Sequence, residues 1–275
     1  MKKVLITKLV VLLVLLALVC GVASSFFFGY RNNWNIFNFR DSNKNELVAE
    51  EKFNDVKNIR VNVIEEDVIV YKHDSNEIIV KYYGDHDRLP RMTLSNGDLR
   101  IEREKEWRFF FFNFNVSGRV EIYMPSDQIN ELDIVGVSGN VEVSPNVKNL
   151  DVEVVSGSIT GYGVGESAGL NTVSGNIRMY GGFDNVDAET VSGNIRLTTK
   201  EDSIIDANTV SGTVRCSLYS PTVGYTVEFD SVSGQFKDNY NEQKFGGDVK
   251  TNFGDSELSF NVETVSGSFK LEDWD

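Results

Sequence analysis

Several residue types are scarce in this chain of 275 residues, and each scarcity excludes a class of protein. Only two cysteines occur, Cys20 in an apolar N-terminal run and Cys216 at a predicted core position, so a disulfide framework is excluded. Alanine and leucine are sparse beyond residue 30, whereas valine, isoleucine, threonine, asparagine and aromatic residues are plentiful. This composition favours strands and turns over helices, so the fold class is predicted to be all-β.

Basic residues are also scarce. The net charge is −14, and three lysines in the first 30 residues leave 24 basic against 41 acidic residues in the remainder. No cluster of lysine and arginine is evident along that remainder, and proteins that bind phosphate backbones need such clusters. The sequence therefore predicts no nucleic-acid partner.

One long apolar run stands at the N-terminus. From Leu9 to Tyr30 the chain has 22 residues without a charge, preceded by lysines and followed by Arg31. This length can cross a hydrocarbon layer about 30 Å thick, and the positive-inside tendency keeps the basic flank, residues 1–8, in the cytoplasm. Localisation at the cell membrane is therefore expected, as a single-pass protein whose C-terminal domain is extracellular.

The expected organisation has three parts after the basic flank: a transmembrane anchor or signal segment at 9–30, a flexible stalk at 31–51 and a repeat domain at 52–272. Cleavage after Ala23 is the alternative to a retained anchor, although the phenylalanines that follow prolong the apolar run. Lipidation of Cys20 is disfavoured, because a valine rather than a small residue precedes it.

The repeat is the main signal in the sequence. Val-Ser-Gly occurs eight times, and successive glycines are 21, 18, 18, 18, 19, 22 and 33 residues apart. The glycines predicted to form structural turns are Gly118, Gly139, Gly157, Gly175, Gly193, Gly212, Gly234 and Gly267. A near-constant period of this length predicts stacked rungs, each of which buries its apolar side only against its neighbours.

Apolar residues recur at offsets −7, −5, −2, +2 and +4 from each glycine, as in Val186, Ala188, Val191, Ile195 and Leu197 around Gly193. A spacing of two is strand alternation, so each rung should hold two short strands with inward side chains. The glycine, which tolerates positive φ, should turn the chain while the flanking valine faces the core. The predicted fold is a single-stranded parallel β-solenoid, right-handed by prevalence and resemblance.

The same pattern extends upstream of the triplets. Ile59 and Val61 begin a rung around Glu66, and Leu99 and Ile101 follow Gly97 as they would a triplet glycine, giving roughly ten rungs. Polar columns outside the core are also predicted and interpreted as structural ladders. They comprise Thr172, Thr190, Thr209, Ser231 and Thr264 at offset −3, and Asn140, Ser158, Asn176, Asn194, Thr213 and Ser268 at offset +1.

A partial aromatic stripe is the candidate binding surface. Tyr123, Tyr162 and Tyr180 share offset +5, beside an inward residue, and should therefore point outward. Ser144 interrupts the column. Such a stripe could stack against sugars, although exposed tyrosines also simply suit a pleated surface.

No catalytic residue, metal site or cofactor is predicted. A nucleophile is needed once and not once per rung, so the repeated serines are structural. Asp85 to Asp87, around His86, fit a solvated loop better than a metal site. The glycine-aspartate sequence from Gly181 to Asp187 faintly resembles the calcium loops of other solenoids, but it lacks their recurrence every nine residues. The apolar run from Trp107 to Phe114 is interpreted as a cap or covered loop, with a partner or membrane contact as the alternative.

The Val-Ser-Gly-Asn-Ile segments at 173–177 and 191–195, behind a single N-terminal membrane segment, resemble the bacterial "putative adhesin" family of unknown function. The resemblance covers about residues 52–272. It implies a β-helix fold and a cell-envelope protein, since some members are encoded beside envelope-stress regulators in Gram-positive bacteria. It supplies no catalytic residues.

The function expected from these features is a non-enzymatic envelope module that presents a rigid solenoid to an envelope protein or a cell-wall polymer. Two alternatives remain open. A carbohydrate-active β-helix enzyme should concentrate charged residues on adjacent rungs, and only the insertion at 237–258 could hold such a cluster. A membrane-bound regulatory sensor would act through its anchor and stalk.

Overall fold

A computed structural model of the chain describes residues 46–103, 118–220, 222–255 and 257–273. These residues form strands, turns and one short 3-10 helix, His86–Arg88. The strands in chain order are β1 (Leu47–Phe53), β2 (Asn58–Asn62), β3 (Asp67–Lys72), β4 (Ile78–Tyr83), β5 (Arg91–Ser95), β6 (Asp98–Glu102), β7 (Arg119–Met124), β8 (Glu131–Ser138), β9 (Val141–Val143), β10 (Asn149–Ser156), β11 (Ile159–Gly161), β12 (Gly165–Ser174), β13 (Ile177–Met179), β14 (Phe183–Ser192), β15 (Ile195–Thr198), β16 (Ile204–Ser217), β17 (Tyr225–Ser231), β18 (Gln235–Asp238), β19 (Gln243–Gly246), β20 (Val249–Phe253) and β21 (Ser259–Leu271). The all-β prediction is confirmed for this part of the chain.

Each rung of the repeat contributes one strand to each of two faces. On face 1, β8, β10, β12, β14 and the first half of β16 pair in parallel, each with the strand of the next rung. On face 2, β9, β11, β13, β15 and the second half of β16 do the same. The pairing places every residue beside its equivalent in the neighbouring rung, so the domain has a solenoid-like stacking of parallel strands.

The core lies between the two faces. Residues at offsets −7, −5, +2 and +4 are buried, as alternation predicts; in the fourth triplet rung they are Ala168, Leu170, Ile177 and Met179. Cys216, predicted to be a core residue, is fully buried.

The rungs at the C-terminal end are not stacked in chain order. β21, the last strand, lies between β16 on one side and β17 and β18 on the other, with parallel pairing to all three. β19 and β20 run back in the opposite direction and pair antiparallel with β18 and β17. The 33-residue interval before the last glycine is therefore a reversed outer layer followed by an inserted rung.

The N-terminal end is built in the same way. β6 and β7 form a rung that stacks outside β2 and β3, although it follows them in the chain. β5 and β4 pair antiparallel with this rung on its outer side, and β1 pairs antiparallel with β4. These reversed strands cover the parallel edges, which would otherwise offer free backbone groups to another chain.

Two sequence predictions need correction at this end. Leu99 and Ile101 were predicted to follow a corner glycine, on the second strand of a rung. They lie instead on the first strand, where they pair with Ile59 and Val61 on face 1, and β7 is the second strand of their rung. The described residues form nine rungs, where the sequence predicts roughly ten. Residues 47–51, assigned to the stalk, belong to β1, because β4 provides an edge for them to pair with.

From Gly139 onward, the triplet glycines stack on one another at the corner between the two faces. A Cβ placed on Gly157, Gly175 or Gly193 would lie 1.8–1.9 Å from the carbonyl oxygen of the preceding glycine. Positive φ is not the common reason for glycine here, since among the eight triplets only Gly139 and Gly212 have it. The requirement is space for the carbonyl of the neighbouring rung. The glycines therefore lie at the predicted turn of the chain, but the positive φ expected there occurs at two of the eight.

Beside this corner, the valine at offset −2 was predicted to face the core and the threonine at offset −3 to lie outside it, and the structure shows the reverse. Val137 is 52% exposed and Val232 is 76% exposed, so the valine of the triplet points outward. The threonine at offset −3 is buried instead, because the alternation of the face 1 strand continues to that position. Its hydroxyl can bond inside the core: Thr172 donates to the carbonyl of Gly157 at 3.2 Å.

The predicted ladder at offset +1 is present along the corner. The Asn140 side chain accepts a hydrogen bond from the backbone N–H of Ser158 at 3.0 Å. Asn176 accepts from the N–H of Asn194, and Asn194 from that of Thr213, both at 3.0 Å. These bonds satisfy backbone donors at the bend, where strand pairing is interrupted.

The predicted anchor at 9–30 lies outside the described residues. Among the residues that the structure does describe, no helix is long and apolar enough to span a membrane.

The corner predicts a sharp difference between neighbouring positions. Gly175→Ala should destabilise the domain by about 1–3 kcal/mol or more, because the new Cβ must displace the Gly157 carbonyl. Ser174→Ala, at an exposed site next to it, should change the free energy of unfolding by less than about 0.5 kcal/mol. Urea denaturation of both variants measures this. Equal effects would contradict the packing explanation.

Candidate functional site

The tyrosines predicted from offset +5 lie on the outer surface of face 2. Tyr162 and Tyr180 follow β11 and β13 on adjacent rungs, and their rings stack with centroids 5.2 Å apart and an interplanar angle of 10°. They are 49% and 45% exposed. The strands beneath hold both rings parallel and face to face, so together they form one continuous exposed aromatic patch.

Tyr123 does not join this pair directly. It stacks on Tyr71 of β3, with ring centroids 5.0 Å apart, and its hydroxyl donates to Glu121 at 2.9 Å. The ammonium of Lys81 lies 5.2 Å from the centre of the Tyr123 ring. Burial, followed by the bond to Glu121, raises the pKa of Tyr123 to about 12, so the hydroxyl stays protonated at neutral pH.

The two stacked pairs belong to one column. Because the β6–β7 rung lies outside the β2–β3 rung, the order along face 2 is Tyr123, Tyr71, Ser144, Tyr162 and Tyr180. Five rungs span about 19 Å at the usual strand spacing. We call these five residues the tyrosine column. Its member Tyr71 was not predicted, although it stands five residues after Glu66, at the offset of the other tyrosines.

A second column on face 2 corrects the expectation that basic residues are unclustered. At offset +3, one position before the inward +4 residue, the register aligns five cationic side chains on successive strands of the C-terminal half, and the reversed strand β19 places a sixth beside the last of them. In spatial order they are Arg178, Arg196, Arg215, Lys270, Lys237 and Lys244. We call them the cationic column. Residues that are adjacent in the column are 7–55 positions apart in the sequence, so no local cluster of basic residues is visible there.

Face 1 carries the opposite charge. Its outward positions at offset −6 include Asp133, Asp151 and Asp206, and those at offset −4 include Glu153 and Glu189. Burial raises the pKa of Asp151, and the charges of Glu153 and Asp133 raise it further. Over the C-terminal half of the stack, the two faces thus carry opposite charge. No group of acidic, histidine and cysteine side chains suited to a metal ion occurs among the described residues.

The two segments considered for metal binding have structural contacts. The Asp85 carboxylate accepts a hydrogen bond from the Asp87 backbone at 3.1 Å and caps the short helix. Asp184 forms an ion pair with Lys200 at 2.5 Å. Gly181 packs against the carbonyl of Gly163, with no room for a Cβ. The apolar run from Trp107 to Phe114 lies outside the described residues.

Buried ionisable groups also serve the fold. Glu66 stands where later rungs have glycine, and its carboxylate accepts two backbone hydrogen bonds at 2.9 Å and forms an ion pair with Arg103. At the other end of the core, Tyr225 donates to Asp238 at 2.6 Å. Burial, with the bond to Asp238, raises the pKa of Tyr225. These groups are satisfied internally and do not face a common cleft.

Comparison with known proteins establishes the family. The model of the family described as Toastrack DUF4097 matches residues 56–272, and the chain therefore belongs to that family. No curated protein matches the chain.

Three solved structures are similar to it at low identity. A "putative cell adhesion protein" from Clostridium sporogenes is 13% identical, with a TM-score of 0.43, covering 82% of this chain and 99% of its own. A "putative adhesin" from Bacteroides fragilis is 14% identical, with a TM-score of 0.45 and coverage of 82% and 97%. A "Putative lipid binding protein" from Parabacteroides distasonis is 15% identical, with a TM-score of 0.39 and coverage of 82% and 96%.

The acidic face predicts a pH-dependent stability. Because the pKa of Asp151 is raised in the folded state, the stability linked to this group is full below its ordinary pKa of 3.8 and is lost as the pH rises through the folded-state value. Asp151→Asn should therefore be more stable than the wild type at about pH 7, with a difference that shrinks towards about pH 3.

Urea denaturation at the two pH values measures this difference. Asp74→Asn, at an exposed turn, is the matched control. A stabilisation by Asp151→Asn that is the same at both pH values would contradict the electrostatic origin.

Proposed function

We propose that this Toastrack-family chain is a non-enzymatic binding module that presents face 2 to an extended polymer or protein of the cell envelope. The observation that carries the proposal is the tyrosine column, in which four aromatic rings on a rigid sheet are aligned over five rungs. Aromatic side chains that line a surface in a row can pack against the apolar faces of successive sugar rings. The proposed ligand is therefore a glycan-containing wall polymer, bound along the axis of the stack.

The proposed mechanism is shape and repetition. Tyr162 and Tyr180 directly follow short strands that are paired on both sides, so little conformational entropy is lost when a ligand contacts them. Ser144 leaves a gap between the two stacked pairs, and a polymer could contact both pairs while passing over it. Affinity would come from several weak contacts on one chain.

The proposal includes the placement of the domain. Residues 9–30 would anchor the chain in the cell membrane, or direct its export, and the domain would stand outside on the residues that follow. The stack would be right-handed. Residues in the tyrosine column would then be presented towards the wall without a catalytic step.

Binding to wall material tests the proposal. The full chain in neutral detergent is incubated with purified bacterial wall sacculi, sedimented and quantified, alongside Tyr162→Ala/Tyr180→Ala. Loss of two stacking rings, each worth about 0.5–1.5 kcal/mol, should weaken binding by roughly tenfold or more. The folded state should persist, because both side chains are largely outside the core.

Tyr219→Ala is the matched control, since Tyr219 is 43% exposed but lies outside the tyrosine column. It should bind as the wild type does. Equal binding by the double variant and the wild type would overturn the assignment of the surface. Release of soluble wall fragments by the wild type would overturn the non-enzymatic function.

A further inference from the structure

The cationic column aligns six basic side chains in a domain that is otherwise acidic. Pairing of β13 with β15 and of β15 with β16 places Arg178, Arg196 and Arg215 side by side. Pairing of β21 with β16 and β18 then continues the column through Lys270 and Lys237. Six strands at the usual spacing span about 24 Å.

The neighbouring outward columns contain few compensating charges. At offset +1 the same rungs carry asparagine, threonine, serine and glutamine, and at offset +5 they carry Tyr180, Thr198, Ser217, Glu272 and Asn239. Glu272 pairs with Arg215 at 3.0 Å. Of the six cationic side chains, Arg215 is the one with an ion pair among the residues that the structure describes.

Such an arrangement does not help the isolated fold. Like charges directly opposite one another on neighbouring strands are destabilising. The strands that carry these cations are about 4.8 Å apart, which is less than the screening length of about 8 Å at physiological ionic strength. Their mutual repulsion would be relieved by an anionic ligand that follows the column.

We propose that the cationic column binds a linear phosphodiester polymer, of the polyol-phosphate kind, lying along the stack. Each phosphodiester has two free oxygens, which cations on two adjacent strands can contact together. The hydroxyl and amide side chains beside the column, such as Asn194 and Thr213, can hydrogen-bond the polyol hydroxyls. The tyrosine column ends at Tyr180, two residues from Arg178, so the two columns meet.

The shape of the cationic column favours a thin polymer over a membrane as the ligand. The column is one residue wide, and towards the N-terminal end the same offset carries Thr160, Glu142 and Glu121. A flat anionic bilayer would meet the Glu142 carboxylate as well as the cations, whereas Glu121 is buried and paired with Arg119. A single flexible polymer can follow the basic half alone.

This inference rests on the proposed function for its location outside the membrane, but its binding test is independent of location. The full chain in neutral detergent is titrated into fluorescently labelled poly(glycerol phosphate), and anisotropy is recorded at several salt concentrations. The wild type should bind, with an affinity that falls as salt rises. Arg196→Gln/Lys270→Gln should bind at least about tenfold more weakly, since two charge-assisted contacts are lost.

The matched control is Arg60→Gln/Arg100→Gln, which removes two adjacent cations from face 1. It should bind as the wild type does. Thermal unfolding provides a second readout. Polymer should raise the Tm of the wild type but not that of Arg196→Gln/Lys270→Gln. Without polymer, the Tm of this double variant should be at least as high as that of the wild type.

Three competitors decide the ligand class. Oligo(dT), polygalacturonate or vesicles with anionic lipid should each displace the labelled polymer less well than unlabelled poly(glycerol phosphate). Stronger displacement by any of them would overturn the assignment. No binding of poly(glycerol phosphate), or equal loss in both double variants, would overturn the site. If sacculi stripped of phosphodiester polymer still retain the wild type through Tyr162 and Tyr180, the proposed function survives that failure.

Discussion

The stacking of triplet glycines at one corner is the constraint on which the rest of the structure depends. Seven of the eight triplet glycines occupy a space that the carbonyl of the neighbouring rung leaves too small for a Cβ, as between Gly175 and Gly157. This contact fixes how far one rung can lie from the next and which residues stand opposite one another. The order of the final rungs follows the same contact, because Gly234 packs on Gly267 and Gly267 packs on Gly212.

Fixed register turns a repeated sequence into columns of side chains. A position that recurs at one offset from the glycine becomes a continuous line about 4.8 Å per step along the stack. Offset +4 gives core, offset +1 gives hydrogen bonds along the corner, and offsets +3 and +5 give the two columns of face 2. The chemistry of the surface therefore depends on how one rung differs from the next at the same offset. At offset +3, Thr160 lies on the rung next to that of Arg178, and at offset +5, Ser144 lies on the rung next to that of Tyr162.

Sequence alone predicted the features that recur within a rung. The all-β class, the inward residues and the outward Tyr162 and Tyr180 all follow from spacing and alternation. The outward position of Val137 was missed, because hydrophobicity suggested core where the strand still alternated through offset −3. Backbone alternation, and not the side chain's polarity, decides which way a residue points.

The sequence did not predict the spatial order of the strands at the two ends of the stack. The strands β4, β5, β19 and β20 reverse direction, and the rungs that follow them insert inward, so chain order and spatial order differ. Tyr71 then separates Tyr123 from Ser144. Lys270 likewise comes between Arg215 and Lys237. Long-range pairing of this kind has no local signal in the chain.

The inserted last rung can be tested directly by disulfide cross-linking. In the structure Asn261 pairs with Asp206 on one side and with Glu228 on the other. The account predicts that Asp206→Cys/Asn261→Cys forms a disulfide under mild oxidation, because adjacent strands are about 4.8 Å apart. Asp206→Cys/Glu228→Cys should not, because two strand spacings exceed the reach of a disulfide. The opposite result would mean that the rungs stack in chain order and that the cationic column is interrupted.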